Sequence, residues 1–231
     1  MVTLNPGHFM LDNFFCSLQR KKSHLVFNPW FDVDYINDTD QTAPQKRLDN
    51  LKTYMGERLD AQYLLVAEAL GYQGGHFTGI PMTSERILLG HMSAKGILPT
   101  HVCNSPLGRT SRVNLQRNGF NEPTATIVWE KLIAEDLDTR NFVFWNAFPW
   151  HPFKDPNKIL SNRTPNSTEI LEGAVPLRTL IQAIKFKKII ALGNKAGDLL
   201  QGIGINAEKV RHPAYGGANQ FREQILNALG S

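Results

Sequence analysis

Three short apolar runs along the chain predict buried β-strands. They cover residues 63–67, 142–145 and 188–192. Each run is shorter than a typical helix and leads into a loop that contains glycine or proline, as expected for strands that are covered on both faces. Residues 208–212, which also lead into a proline and two glycines, predict a fourth strand.

Apolar side chains at helical spacing occur between these strands. Two polar stretches, residues 104–124 and 151–173, lack this spacing and predict long loops. Residues 1–55 predict a helical or irregular cap, which is interrupted at Pro29 and Pro44. The predicted helices cover residues 45–59, 84–95, 127–134, 174–184, 194–200 and 220–229.

Strands that alternate with helices are typical of an α/β fold with a parallel sheet. We therefore expect a three-layer α/β/α sandwich around a central, mostly parallel four-stranded sheet. A chain of 231 residues fits one such domain, which would span residues 1–231 and include the cap.

Composition excludes several classes of protein. The only two cysteines, Cys16 and Cys103, are too few for a disulfide framework or a four-cysteine iron–sulfur cluster within one chain. No apolar run approaches the roughly 18 residues of a membrane span, and the first residues do not resemble a signal peptide. We expect an intracellular, cytoplasmic and monomeric protein without a metal site, and the net charge of +4 permits a polyanionic partner.

Three of the predicted strands end close to a side chain that can carry out chemistry. Glu68 follows the first strand, Asn146 the second and His212 the last. Parallel sheets place their ligand sites outside the carboxyl ends of the strands, so these three residues are expected to meet there. An acid, an amide and an imidazole together predict a pocket that binds a planar heterocycle.

The residues around these positions resemble the motifs of the uracil-DNA glycosylase superfamily. The first motif of that superfamily is similar to residues 67–71, Ala-Glu-Ala-Leu-Gly, and its tail to residues 78–82, Thr-Gly-Ile-Pro-Met. Asn146-Ala147 resembles the mid-chain motif, and His212-Pro213-Ala214 the last motif, His-Pro-Ser. The resemblance runs from about Leu64 to the end of the chain, and it points to a branch without the iron–sulfur cluster.

The resemblance implies two catalytic residues. His212 would donate a ring N–H to the pyrimidine O2, where negative charge develops as the base leaves. Glu68 would orient water and stabilise the cationic sugar. The best-known members carry out this second role with an aspartate at the position of Ala69, whereas the iron–sulfur branch shares the Glu-Ala pattern seen here. A histidine that only caps a strand and a glutamate bonded to loop amides are the alternatives.

Asn146 would read the edge of the base. Its amide can pair with N3–H and O4 of uracil, but an amide that is free to rotate pairs equally well with cytosine. Selectivity for uracil therefore requires neighbouring groups that hold the amide in one orientation. The alternative is a turn asparagine ahead of Ala-Phe-Pro.

Four further residues are candidates for contacts with the base. Met82 stands where the family usually has a phenylalanine that stacks on the base, and Phe77 would supply the stacking instead, unless it belongs to the core. Gly71 takes the position of a tyrosine that excludes the methyl group of thymine in the strictest branch. The pocket is therefore expected to accept some 5-substituted pyrimidines, although Tyr72 would partly fill the gap.

Two segments are candidates for contacts with DNA. Arg109, Thr110 and Arg112 offer side chains for phosphates, although a solvated loop explains them nearly as well. After the histidine, Gly216 replaces the usual wedge residue, so Tyr215 would stack into the space that the base leaves. Because Ala214 also replaces a phosphate-contacting serine, we expect a preference for single strands or mismatches, where base extrusion costs less.

These expectations describe a monofunctional DNA glycosylase that removes uracil or a related modified pyrimidine from DNA and leaves an abasic site. It would need no cofactor. No lysine occupies any of the motif positions, so a lyase step through a Schiff base is not expected. Two alternatives remain. One is a catalytically impaired nucleic-acid-binding protein with the same fold, and the other is a hydrolase of free nucleosides or nucleotides.

Overall fold

The computed structural model describes residues 6–19 and 24–230. Its sheets consist of β1 (Val26–Phe27), β2 (Tyr63–Ala69), β3 (Phe142–Phe148), β4 (His151–Pro152), β5 (Lys188–Leu192) and β6 (Glu208–Val210). Its helices are α1 (Pro6–Leu18), α2 (Ala43–Gly56), α3 (Gly75–Thr78), α4 (Glu85–Leu88), α5 (Pro99–Val102), α6 (Pro123–Ala134), α7 (Ser167–Ala183), α8 (Asn194–Gly202) and α9 (Ala218–Leu229). Short 3₁₀ helices cover Ser93–Lys95 and Thr139–Asn141.

The central sheet has four strands in the order β3-β2-β5-β6, and every neighbouring pair is parallel. All seven residues of β3 are buried, as expected for a strand with helices over both faces. Helices flank this sheet, so the predicted α/β/α sandwich is confirmed. The register pairs Ala67 on β2 with Asn146 on β3, which places Glu68 and Asn146 at the same edge of the sheet.

Aromatic side chains join the N-terminal segment to the sheet. The ring of Trp145 on β3 lies 5.0 Å from that of Phe14 on α1 and stacks on Trp30 at 6.0 Å. Arg47 on α2 and Asp38 form a fully buried ion pair with a separation of 2.7 Å. Within residues 6–19 and 24–55, the predicted cap therefore consists of helices α1 and α2, the short strand β1 and irregular chain packed against the core, whereas residues 1–5 and 20–23 lie outside the described part of the chain.

Two predicted segments differ from the observed structure. The helix expected at residues 84–95 is only α4 and a 3₁₀ turn, because the chain turns at Gly90, where φ is 78°. The loop expected at residues 151–173 already contains the start of α7. That helix begins early because Asn166 accepts the N–H of Glu169 while Glu169 accepts the N–H of Asn166, which together form a capping box.

A buried chain of hydrogen bonds connects the cap to the loops above the sheet. Asp34 Oδ2 lies 3.1 Å from His76 Nε2, His76 Nδ1 lies 3.0 Å from His151 Nδ1, and His151 Nε2 lies 2.7 Å from the carbonyl oxygen of Ser161. The sequence spacing of the two histidines did not indicate this contact. No group of three possible metal ligands occurs in the described ranges. The three contacts join the cap to two loops, and together they are called the brace below.

The number of protons in the three contacts of this brace determines its charge. Three hydrogen bonds need three protons, but two neutral imidazoles supply only two. Asp34 also accepts from the side chain of Asn37 and from two backbone N–H groups. Burial, the largest single effect, raises the pKa of Asp34, but the hydrogen bonds and charge of His76 together with the hydrogen bonds of Asn37 lower it to about 2. Asp34 is therefore ionised, whereas burial lowers the pKa of His76 and lowers that of His151 to about 3, so both imidazoles favour the neutral form and one of the three contacts lacks a proton.

Candidate active site

A cavity of about 710 Å³ opens at the carboxyl ends of the parallel strands. Glu68 from β2, Asn146 from β3 and Leu192 from β5 line it, and His212 lines it from the segment after β6. This is the position at which α/β sheets bind their ligands. The structure therefore brings together the acid, the amide and the imidazole that the sequence analysis singled out.

His212 presents a defined nitrogen to the cavity. Its Nδ1 accepts the backbone N–H of Ala214 over 3.1 Å, so the neutral ring carries its proton on Nε2. Burial and then the charge of Arg211 lower the pKa of His212, while Glu68 acts in the opposite direction. The neutral ring with a free Nε2–H donor is thus the favoured form.

Glu68 keeps one carboxylate oxygen without a partner. Oε2 lies 3.6 Å from Nζ of Lys195 on α8, whereas Oε1 is buried and makes no hydrogen bond to any residue that the structure describes. A buried oxygen without a hydrogen bond costs about 1–3 kcal/mol, so such groups usually bind water or a ligand. The carboxylate is therefore suited to hold a water molecule in the cavity.

Asn146 is also without a partner. The residue is 2% exposed, and its Oδ1 is buried without a hydrogen bond among residues 6–19 and 24–230. The group expected to hold its amide in one orientation is thus not found in this part of the chain. Asn146 alone therefore does not distinguish uracil from cytosine.

The two candidates for base stacking lie in different places. Met82 lines the cavity with φ of 51°, and its carbonyl accepts the indole N–H of Trp129 over 3.1 Å, which holds this unusual backbone conformation. Phe77 is fully buried and stacks on Phe120 at 3.9 Å. Because Phe77 lies in the core and outside the cavity lining, the expectation that it stacks on a base is corrected.

Gly71 lines the cavity and leaves space there. A methyl group at this position would meet only ordinary contacts, with the nearest atoms being the amide of Asn162 at 3.8 Å and the carboxyl of Glu122 at 4.0 Å. Tyr72 does not line the cavity, and its backbone N–H donates to Asn162 Oδ1 over 3.2 Å. The expectation that Tyr72 fills the gap beside Gly71 is therefore corrected.

The predicted phosphate-binding loop has another role in the fold. Arg109 donates to the carbonyl oxygens of Ser111 and Arg117, and Arg112 donates to those of Asp38 and Tyr35. Thr110 is fully buried, and its hydroxyl donates to the carbonyl oxygen of Phe77 over 2.6 Å. These contacts join the loop to the cap and the core, and none of the three residues lines the cavity. The expectation that Thr110 contacts a phosphate is therefore corrected.

Tyr215 stands at the mouth of the cavity. Its side chain is 97% exposed and still lines the cavity wall, and its φ of 54° is followed by a φ of 75° at Gly216. This tight turn directs a bulky ring into solvent beside His212. The position fits the stacking role expected for Tyr215, whereas Gly216 contributes only the shape of the backbone.

Sequence reasoning missed four charged residues that line the cavity, which are Glu122, Arg163, Lys195 and Arg211. Lys195 follows Gly193 at the start of α8, and Arg211 directly precedes the histidine motif. Gly193 is needed where it stands, because a Cβ there would lie 2.9 Å from Cβ of His212 and its φ is 92°. The sequence signal that could have indicated Lys195 is a glycine at the end of a strand, directly followed by a helix that starts at the ligand-binding edge of the sheet.

Comparison with solved structures identifies the fold. The crystal structure of wild-type SMUG2 from Pedobacter heparinus matches with a TM-score of 0.62 and 13% sequence identity over 97% of each chain. At this level of identity the likeness shows that the two proteins share a fold, which confirms the expected fold class. No protein-family model and no curated protein matches the sequence. In the part of the chain that the structure describes, no helix is long and apolar enough to cross a membrane.

Proposed function

We propose that this protein is a monofunctional DNA glycosylase that hydrolyses the N-glycosidic bond of uracil or a related modified pyrimidine in DNA and leaves an abasic site. One observation carries the proposal. A donor on His212 and partnerless buried oxygens on Glu68 and Asn146 line one cavity at the ends of parallel strands. The shared fold with a DNA glycosylase agrees with it.

The chemistry follows from the charges that develop as the bond breaks. When C1′–N1 breaks, its electron pair passes to the base and the sugar becomes cationic. His212 Nε2–H stabilises the charge on O2 of the base, and the Glu68 carboxylate stabilises the cation and orients the water that attacks C1′. One proton of that water passes to Glu68 and then to solvent, and the released base anion takes up a proton from solvent, so the reaction needs no cofactor.

Lys195 and Arg211 are the side chains best suited to hold the DNA phosphates. Both line the cavity beside His212, and no hydrogen bond engages the guanidinium of Arg211 within the described ranges. A basic rim around a cavity attracts a polyanion, and its affinity falls as the salt concentration rises. They take the role in the proposal for which Arg109 and Arg112 were first considered.

The test is cleavage of a labelled oligonucleotide that contains one uracil, either single-stranded or opposite guanine, with alkali added after incubation. The wild type is expected to give strand scission that depends on alkali. The rate of base release should fall about 10²–10⁴-fold in Glu68→Gln and His212→Ala. Glu208→Gln, outside the cavity, is the matched control. DNA binding without base release would instead indicate a catalytically impaired binding protein, and release from free deoxyuridine alone would indicate a nucleoside hydrolase.

A further inference from the structure

Glu122 is a half-buried acid with one buried carboxyl oxygen, and the proposed reaction does not use it. It directly precedes α6, and its side chain lines the cavity together with Glu68 and Asn146. Oε2 is buried and has no hydrogen-bond partner, and no donor to Oε1 occurs within residues 6–19 and 24–230 either. Three partnerless buried oxygens, one on each of these residues, therefore line the same cavity.

The loop after β2 is shaped to admit this carboxyl group. A Cβ on Gly74 would lie 1.8 Å from Oε2 and 2.8 Å from Cδ of Glu122, so no other residue fits there without displacing the acid. Glu122 also lies 4.0 Å from the position of a Cβ on Gly71, at the gap in the cavity wall. The acid thus occupies a space that the glycines leave open, and it contacts no backbone amide of the loop through a hydrogen bond.

The surroundings of Glu122 favour its neutral form. An ionised carboxylate without a donor or a cation is very costly to bury, so the group keeps its proton instead. Burial accordingly raises the pKa of Glu122 to about 7. The other titratable groups along the cavity are Glu68, Arg163, Lys195, Arg211, His212 and Tyr215.

We propose that Glu122 is a further ligand-contacting residue of this cavity, which hydrogen-bonds to an extruded pyrimidine as a neutral carboxylic acid. The proposal deepens the proposed function and rests on it. It adds a second group beside Asn146 that reads the base, at the gap where a substituent on the ring would fit.

The hydrogen-bonding groups of a neutral acid explain why the proton matters. A carboxylic acid offers one O–H donor and one carbonyl acceptor, and its O–H can donate to the second lone pair of the O4 carbonyl that Asn146 also contacts. An ionised carboxylate offers only acceptors and repels a carbonyl oxygen. Loss of the proton near neutral pH is therefore expected to weaken binding of the base.

Carbon-13 NMR of the glutamate carboxyl groups tests this inference apart from catalysis. The resonance of Glu122 is identified by its absence in Glu122→Gln, and it is followed through a pH titration without ligand. Free uracil is then added, or a single-stranded oligonucleotide with 2′-fluoro-2′-deoxyuridine, whose glycosidic bond resists hydrolysis. The resonance is expected to titrate near pH 7 and to shift with either ligand.

Affinity for the same oligonucleotide supplies the second measurement. Wild-type binding is expected to weaken between about pH 6 and pH 8.5, Glu122→Gln to bind with less dependence on pH, and Glu122→Ala to lose about tenfold at pH 6. The titration of His212 is common to all variants, so the difference between wild type and Glu122→Gln isolates Glu122. Glu130→Gln, on α6 but outside the cavity, should behave as the wild type.

The outcomes separate this inference from the proposed function. If no variant binds the oligonucleotide but free uracil shifts the Glu122 resonance, the glycosylase proposal fails and the contact with a pyrimidine stands. If neither ligand shifts the resonance, the contact is refuted whatever the scission assay shows. If Glu122 titrates near pH 4.5, or if Glu122→Gln binds as poorly as Glu122→Ala, the neutral-acid role is refuted.

Discussion

The backbone N–H of Ala214 donates a hydrogen bond to Nδ1 of His212 over 3.1 Å. This contact makes Nε2 the protonated nitrogen of the neutral ring, and Nε2 is left free to donate into the cavity. The substitution of alanine for the usual serine leaves the contact intact, because a backbone group makes it. The tautomer of the histidine is thus set by the turn that follows β6.

His212→Ala is expected to lower the rate of base release by about 10²–10³-fold, because it removes a donor to the charge on the leaving base. Single-turnover release of uracil measures this loss, and nitrogen-15 NMR of His212 should show the Nε2–H tautomer in the wild type. His91→Ala, on an exposed histidine outside the cavity, is the control. A wild-type rate in His212→Ala, or a proton found on Nδ1, would contradict the assignment.

Tyr215→Ala should impair activity on duplex DNA more than on single strands. The exposed ring at the cavity mouth would stack in the space that the extruded base leaves, and a single strand has less stacking to replace. Stacking of this kind is worth about 1–3 kcal/mol, which corresponds to roughly a tenfold or larger change in the ratio of the two rates. Tyr35→Ala, another exposed tyrosine that does not line the cavity, should leave the ratio unchanged.

Gly71→Tyr should narrow the range of bases that the enzyme accepts. The wild type has space beside Asn162 and Glu122, so we expect it to release 5-hydroxymethyluracil as well as uracil. A tyrosine in this gap would exclude the 5-substituent and reduce the first activity relative to the second. Both substrates are measured in the same oligonucleotide. A wild type that releases uracil but no 5-hydroxymethyluracil would disprove the open gap.

Asp34→Asn should destabilise the fold, because it removes a carboxylate that accepts hydrogen bonds from His76, from Asn37 and from two backbone N–H groups. Hydrogen bonds to a charged group contribute about 1.5–3 kcal/mol each. Urea unfolding followed by circular dichroism measures the loss. Asp49→Asn, at an exposed aspartate, should change the free energy of unfolding little. A loss below about 1 kcal/mol would show that the carboxylate contributes little to the brace.

The same aspartate predicts a dependence of stability on acid. Its pKa is lowered from 3.8 to about 2 in the folded protein. The resulting stabilisation is present above pH 3.8 and is lost as the pH falls through about 2. Thermal unfolding of Asp34→Asn should therefore approach that of the wild type as the pH is lowered across this range.

Glu122 predicts a stability difference of the opposite kind. Because its pKa is raised from 4.5 to about 7, the folded protein binds a proton that the unfolded chain has released between these values. Stability then falls as the pH rises through this window. Glu122→Gln should accordingly stabilise the protein more at pH 8 than at pH 4.5, by up to about 3 kcal/mol. An equal effect at both pH values would show that folding does not raise the pKa of Glu122.

The sequence alone determined the sheet and its three chemical residues. The strands could be predicted because a parallel sheet is buried on both faces and its strands are therefore short apolar runs. Parallel sheets bind ligands at the carboxyl ends of their strands, and this predicted that Glu68, Asn146 and His212 lie together. The start of α7 was missed because a polar capping box, Asn166 with Glu169, resembles a loop in composition. In this segment the hydrogen bonds of the capping box start a helix that the polar composition did not indicate.

Only the tertiary structure decided which side chains reach the cavity. Arg109 and Arg112 are basic loop residues in the sequence, yet backbone carbonyls engage both guanidinium groups, those of the same loop at Arg109 and those of the distant cap at Arg112. Glu122 gave no signal, because its burial depends on the space above Gly74, forty-eight residues away in the chain. The periodicity of a sequence indicates on which face of its own helix or strand a residue lies. The partners of a charged side chain are instead set by chain segments that meet only on folding.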